Sequence, residues 1–349
     1  MRIGLAYNQR PTDGSAHGND AFVEWDEPET IDAVAAALSA LGEVIRLEAF
    51  GSDFPARLAD SRIDLLFNIA EGVSGPSREA HVPAIAEFLG LPYTASDPLT
   101  LTLALHKGRA KEAFAQRGIP TAPFVLVEHA RDVARLRTAL PFPLFLKPAW
   151  EGSSKGIAEA NYVTDADQAV ARAQFLLATY AQPVLAETYL PGDEFTVAVL
   201  GNGDAMRALP LVRFKFDSLP AGALPVMGYE AKWIWDNREA AIEVHECPAR
   251  IPEALARQVG DVAVAACKAL GCRDWARVDV RLDAAHVPNV VEVNPLPGVL
   301  PDPRDNSCFP TAARAAGMTY DGLIQEVASL AWQRHTGQRL TPRATAAVA

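Results

Sequence analysis

The stretch RVDVRLDAAHVPNVVEVNPLPG, residues 277–298, restricts the fold more tightly than any other segment, because it alternates polar and apolar side chains in two runs joined by a turn. Successive side chains of a strand point to opposite faces. The first run therefore sets Arg277, Asp279 and Arg281 against Val278, Val280 and Leu282, and the second sets Glu292 and Asn294 against Val291 and Val293. A slip of one residue would turn the apolar side to water, so the hairpin gathers Arg277, Asp279, Glu292 and Asn294 on one polar face. Half-buried hairpins ordinarily show such a face to solvent, and solvation is the plainer explanation. Two details favour a ligand instead. The face carries two carboxylates and an amide, the hard oxygen donors that Mg²⁺ prefers. NPLPG then ends the strand in a rigid turn, where Gly298 leaves its N–H open to close approach.

The remaining chain narrows the class. At 349 residues it is long enough for two or three domains with their own cores. A net charge of −11 without a long basic run argues against nucleic acid and anionic membranes as partners, though a local cationic pocket for phosphate stays open. No stretch approaches the ~18 uninterrupted apolar residues of a membrane span. MRIGLAYN enters a strand pattern with no apolar signal region. Cys247, Cys267, Cys272 and Cys308 have neither zinc-ligand spacing nor a disulfide framework pattern. The expectation is a cytoplasmic protein with reduced, mostly buried thiols.

The first hundred residues alternate strand and helix patterns, from RIGLAY through the helix over DEPETIDAVAAALSALG to AHVPAIAEFLG, which predicts a parallel sheet with crossover helices. LPYTASDP breaks the pattern near residue 100. A single helix is expected over LTLALHKGRAKEAFAQRG, then strands at APFVLVE and PLFLKPAW, a glycine loop, and a helix over DADQAVARAQFLLATY. From about residue 184 the chain turns strand-rich, with PVLAETYL, EFTVAVLG and AMRALPLVRF, followed by helices over PEALARQVGDVAVAACKALG and TYDGLIQEVASLAWQRH around the opening hairpin.

Two further features carry chemistry. KPAWEGSSKG, residues 147–156, follows a strand and sets two hydroxyl side chains between glycines, which suits backbone N–H groups wrapped around phosphate oxygens or simply a polar turn. It also satisfies G-x-S-x-G with Ser154 central, the pattern of a serine hydrolase, but that motif needs a strand–turn–helix and IAEANYV reads as extended. Lys107, Lys147 and Lys232 each sit near an element end, and a single such lysine is ordinarily just solvated. Walker A and Rossmann glycine patterns are both absent, so a nucleotide site must use another architecture.

Taken in order, GLPYTASDPLTLTLALHKGRAKEAFAQRGIP, LFLKPAWEGSSKG, AETYLPGDEFTVAVLG, YEAKW, CPARI, LGCRDWARVDVRLD, VVEVNPLPG and PTAARAAGMTYDGLI resemble the ATP-grasp superfamily in its D-alanine–D-alanine ligase-like branch, over residues 64–332. The resemblance implies an α/β (α+β) ATP-grasp fold: an N-terminal Rossmann-like α/β domain over 1–100, a central subdomain over 101–186 and a C-terminal subdomain over 187–349, with nucleotide between the last two. It implies an ATP-dependent carboxylate–amine ligase acting through an acyl phosphate on two amino-acid-like substrates, with two Mg²⁺ ions, or Mn²⁺ in their place. Asp279, Glu292 and Asn294 match the metal ligands, and Lys107 and Lys147 the lysines on the ATP phosphates. Ser154 matches the loop closing over those phosphates, Glu187 and Leu190 the linker meeting adenine, and Glu194 the ribose contact. Lys232 matches the mobile-loop lysine that reaches the γ-phosphate. Arg277 with the Gly298 N–H matches the groups that stabilise developing charge. The branch also implies a homodimer through the N-terminal domain.

The substrate-facing segments depart from the pattern. YNQRPTDGSAHGNDAFVEWDEPE replaces the family's glycine-rich opening loop, leaving Glu27, then Glu24, as the expected partner of a substrate ammonium. Acids favoured by the start of a helix explain the cluster equally well. Glu71 stands where the family has a histidine, either facing a cationic substrate group or paired with Arg78. Trp233 replaces a tyrosine beside Ser153, and Ser307 falls where a serine meets the second substrate's carboxylate. The pattern is that of a ligase with altered substrates. The alternatives are a cell-wall D-alanine–D-alanine ligase, an ATP-grasp small-molecule kinase, a nucleotide-binding scaffold without turnover and, most distantly, the Ser154 hydrolase.

Overall fold

The computed structural model describes residues 1–11, 22–216, 224–226 and 245–342. Strand β1 (Arg2–Tyr7) lies between β2 (Glu43–Glu48) and β3 (Leu65–Asn68), all parallel. Ile3, Leu5 and Leu65 through Phe67 are fully buried, as expected of a parallel sheet covered on both faces. The crossover helices are α1 (Pro28–Ser39) and α2 (Phe54–Asp60), and α3 (His81–Phe88) follows β3. Pro28 opens α1, a position where its missing N–H costs nothing. A Cβ on Gly42 would collide with the Met1 carbonyl, so the stop residue after α1 also permits a close chain approach.

The single helix expected over 101–118 is instead two, α4 (Pro98–Leu105) and α5 (Lys107–Gln116). His106 breaks them apart with φ −84° and ψ 88°, and its ring accepts from the Arg109 N–H to cap α5. The Lys107 N–H donates to the Ala149 carbonyl at 2.8 Å, a tertiary bond that replaces helix continuation.

A second sheet runs β4 (Phe124–Val127), β7 (Val184–Thr188), β5 (Leu144–Pro148), β6 (Tyr162–Val163) in spatial order and is antiparallel throughout. Helix α6 (Ala166–Tyr180), capped by the Asp165 carboxylate, covers it. The third sheet comprises β8 (Glu194–Leu200), β9 (Arg207–Ala208), β10 (Val212–Phe214), β11 (His245–Glu246), β12 (Trp275–Leu282) and β13 (Pro288–Asn294), with α7 (Glu253–Leu270) packed on one face. The strand expected over 205–214 is divided into β9 and β10 around Pro210, which has no N–H to give a ladder.

One apolar core crosses the expected divisions. Ile3, Leu5 and Val34 of the first sheet and α1 pack with Trp275 of β12 and with α8 (Cys308–Ala315) and α9 (Tyr320–Thr336). The C-terminal helix therefore completes the N-terminal core. No helix among the described residues is long and apolar enough to cross a membrane.

Asp274 fastens the joint. Its fully buried carboxylate accepts from the Ala95 N–H at 2.9 Å, from Asn202 Nδ2 at 2.8 Å and from Arg334 Nη2 of α9 at 2.8 Å. Removing one partner of a buried ion pair strands the other charge, so Asp274→Ala should lower stability by about 3–5 kcal/mol. Urea denaturation checks this, with Asp274→Asn, which keeps an acceptor oxygen, expected to lose less.

Candidate active site

The hairpin pairs Arg277 with Asn294 and Asp279 with Glu292, which puts the four polar residues on one face as expected, but a bulge leaves Val291 unpaired and seats Val290 opposite Val280, so the apolar alternation expected at Val291 fails. Its polar face is ordered by charge. Arg277 Nη2 lies 3.0 Å from Asp279 Oδ2 and 3.6 Å from Glu292 Oε1. Thr196, on the neighbouring β8, donates to Asp279 Oδ1 at 2.8 Å. Lys107, placed at the first turn of α5 by the break at His106, puts Nζ 3.2 Å from Glu292 Oε2.

The two carboxyls respond differently. Burial opposes ionisation of Glu292, but Lys107, Lys147 and Arg277 outweigh it and hold the group far below the usual carboxylate range. At Asp279 burial comes first and, with the Glu292 charge beside it, prevails over Arg277 to push the carboxyl up. A pair of carboxylates in which one is left under-neutralised, with Asn294 alongside, is a hard-oxygen donor set with room for more positive charge. A divalent cation fits that chemistry. Among the described residues no three His, Cys, Asp or Glu side chains converge as a metal site, so such an ion would rely on Asp279, Glu292 and the Asn294 amide.

A second charged cluster lies behind the first. β5 and β7 pair Phe145 with Glu187 and Lys147 with Leu185, so period-two alternation points Lys147 and Glu187 to the same face. Lys147 Nζ is 2.6 Å from Glu187 Oε1, and Lys111 Nζ, from α5, is 2.8 Å from Oε2. Burial raises Glu187, but Lys111 and then Lys147 overcome it and bring its pKa to about 2. For Lys147 the Glu187 and Glu292 charges outweigh burial and raise its pKa, whereas for the deeper Lys111 burial wins and lowers it.

Glu187 therefore belongs to strand β7 and not to the linker after it, and its carboxylate is occupied by two lysines. Lys111 was missed in the sequence; its signal is the four-residue step from Lys107, one turn along the same helix face. Leu190 is buried and lines the same cavity. Glu194, first residue of β8, is engaged by Arg281 at 2.9 Å, and burial ahead of that contact raises its pKa.

The glycine loop does not lead into a helix. Ser153 and Ser154 have φ of 49° and 62°, a left-handed region costly for non-glycine residues. A short turn and β6 follow, and α6 starts only at Ala166, so the nucleophile-elbow geometry is not met and the hydrolase loses its structural premise. At the opposite rim, the Ser307 hydroxyl donates to the Gly298 carbonyl at 3.2 Å and accepts from the Leu300 N–H at 3.2 Å. A Cβ on Gly298 would meet nothing within 4 Å, so no protein packing accounts for a glycine there.

The N-terminal wall departs from expectation. Glu27 is held by Arg10 at 3.0 Å and Glu24 by Arg78 at 2.9 Å, so both acids expected to meet an ammonium already have cations. Arg78 pairs with Glu24 and not with Glu71. Lys232 of the expected mobile loop and Trp233 lie outside the described residues. Every other site residue expected from the sequence lines one cavity of about 760 Å³.

Residues 113–329 match the family model for the D-ala D-ala ligase C-terminus. A D-alanine–D-alanine ligase of Bordetella petrii is 35% identical over 293 residues, 84% of this chain and 83% of that protein. One from Ralstonia pickettii is 32% identical over 303 residues, 86% of this chain and 85% of that one. An uncharacterized protein of Sinorhizobium fredii, y4sG, is 34% identical over 348 residues, 96% and 94% of the two chains. The structure of D-alanine–D-alanine ligase from Bacillus anthracis complexed with ATP shares the fold, with a TM-score of 0.71 at 21% identity over 97% of this chain and 99% of that one.

The Glu187 cluster has a signature in acid. Its depressed pKa contributes stability that is fully present above the ordinary value of 4.5 and is lost as pH falls towards about 2. The contribution amounts to about 3 kcal/mol. Urea midpoints measured against pH should show Glu187→Gln less stable at neutral pH and without this part of the acid limb.

Proposed function

Because the chain belongs to the D-alanine–D-alanine ligase family and is an ATP-dependent ligase of the ATP-grasp fold that forms an amide bond, we propose that it joins two amino-acid-like substrates through an acyl phosphate. The observation that carries this reading is that Lys107, Lys147, Arg277, Asp279, Glu292 and Gly298 all line one cavity. In the proposed sequence, the γ-phosphoryl group of ATP passes to a carboxylate oxygen of the first substrate and ADP forms. The amine of the second substrate then attacks the carbonyl carbon, loses a proton, and inorganic phosphate leaves with the C–O bond.

Lys107 and Lys147 hold the ATP phosphates in this reading, and Ser154 and its loop cover them. Leu190 and the linker receive adenine, and Glu194, alongside Arg281, the ribose. Glu187 becomes the anchor that orients Lys147. Asp279, Glu292 and Asn294 hold Mg²⁺, which when bound supplies positive charge against the phosphates. Arg277 and the Gly298 N–H meet the oxygen on which negative charge grows, the arrangement that contributes most when donors are fixed in advance. Ser307 and Ser153 face the second substrate. A cytoplasmic location and a homodimer through the N-terminal domain accompany the proposal on the strength of the family alone.

The ligases of Bordetella and Ralstonia make D-alanyl-D-alanine synthesis the second reading. Glu71 at the substrate end of the cavity favours a different pair. ADP release with Mg²⁺-ATP over pairs of D- and L-amino acids and small amines, with products read by mass spectrometry, decides between them. An amide product is expected; phosphorylated substrate with no amide in the presence of amines would make the protein a kinase and overturn the proposal. Arg277→Ala should lower kcat by about 10²–10³-fold, as for loss of one oxyanion donor. A near-normal rate would remove Arg277 from the chemistry.

A further inference from the structure

Glu24, Asp26, Glu27, Glu71, Glu79 and Glu151 are among the carboxylates that line the N-terminal side of the cavity. Three are matched by cations, Glu24 by Arg78 at 2.9 Å, Glu27 by Arg10 at 3.0 Å and Glu151 by Lys155 at 2.8 Å. The side chains of Asp26, Glu71 and Glu79 have no hydrogen-bond or ion-pair partner among the described residues. Glu79 is the sharpest case. It sits on the turn Arg78–Ala80 before α3, is only 8% exposed, and its carboxyl opens on the cavity. Its neighbour Arg78 gives its hydrogen bonds to Glu24 and to the Trp150 carbonyl, so Arg78 and Lys107 act on Glu79 through their charge alone.

These carboxyls act on one another. Burial, then Glu79, Glu24 and Asp26, push Glu71 well above its ordinary range, against the pull of Arg78. Burial lifts Glu79 to about 7 even with Arg78 adjacent, and burial followed by Glu27 lifts Asp26 to about 8. Unpaired buried carboxyls destabilise the protein that carries them, and such groups cluster where a ligand supplies the missing charge. The wall also carries Arg10, Arg78 and Lys155, each paired to one of its acids, so the unpartnered carboxyls are separated by cations and do not form a compact metal cage. Acids spread along a wall suit an extended organic cation.

The ligase reading, on which this inference rests, orients that cation. The first substrate's carboxylate must lie by Arg277 and Gly298, and its body then extends towards Glu71 and Glu79. One α-ammonium can pair with only one of these three carboxyl groups and leaves two without a partner. We propose that the substrate activated here carries a second cationic group, as a diamino or guanidino carboxylic acid does, and that Glu79 and Glu71 receive it. Glu79 is thereby a specificity residue that no family motif points to.

Isothermal titration of the full chain, with Mg²⁺ and a non-hydrolysable ATP analogue, tests it using lysine and ornithine against norleucine and norvaline in both configurations. A charged hydrogen bond predicts that a diamino acid binds at least about ten-fold tighter than its neutral counterpart. Glu79→Gln and Glu71→Gln should each shrink that ratio. Glu79→Gln should also melt at or above the wild-type temperature, because it removes an unmatched charge; a merely structural carboxylate would lower it. Equal binding of neutral and diamino acids, or a ratio unchanged in both folded variants, overturns the inference. Amide product from neutral pairs with no preference for diamino acids overturns it too, and leaves the ligase reading standing. Tight, Glu79-dependent lysine binding with no ADP release on adding ATP and an acceptor amine keeps the cationic pocket but overturns the claim that its ligand is the activated substrate, and with it the acyl-phosphate reading.

Discussion

Two buried carboxylates, Glu187 and Glu292, hold together the three pieces of chain that make this site. Glu187 takes Lys111 from α5 and Lys147 from β5; Glu292 takes Lys107 from the start of α5 and faces Arg277 across the hairpin. Removing so many charges from water is costly, and attraction in a low-dielectric interior returns that cost only when each charge is closely matched. The matching is incomplete at Asp279, where burial and the Glu292 charge prevail over Arg277. The shortfall lies where phosphate and a divalent ion would lie. The polar network is thus a clamp between the second and third sheets and, in the proposed function, the electrostatic seat for a nucleotide.

The two ends of the cavity follow different logics. At the nucleotide end cations are anchored by acids, which keeps lysines charged and aimed while they wait for phosphate. At the N-terminal end acids outnumber cations, and three carboxyls face the cavity without a match among the described residues. In the proposed function the first arrangement suits the phosphates of ATP, and the second, carried by Asp26, Glu71 and Glu79, suits a cationic substrate group.

Much of the fold was legible because it rests on local rules. Period-two alternation placed Arg277, Asp279, Glu292 and Asn294 on one face, and the observed register pairs them as expected. Pro28 and Asp165 marked helix starts through capping chemistry that acts within one turn. What was illegible depends on partners far along the chain. The break at His106 exists because the Lys107 N–H finds the Ala149 carbonyl, a bond no helical pattern announces. Glu187 looked like a linker residue until two lysines from other elements claimed it. Glu24 and Glu27 looked like free acids until Arg78 and Arg10 met them.

By itself, the sequence determined the alternating strands, the caps, the metal-like donor set of the hairpin and the order of motifs that places the chain in its family. Each of these is set by neighbours within a few residues or by residue type. Only the tertiary structure decided which charges neutralise which. Coulomb energy depends on distance and burial, and neither is a property of position along the chain. For that reason Lys111 and Glu79 emerged only when α5, β7 and the turn before α3 were brought to the same cavity.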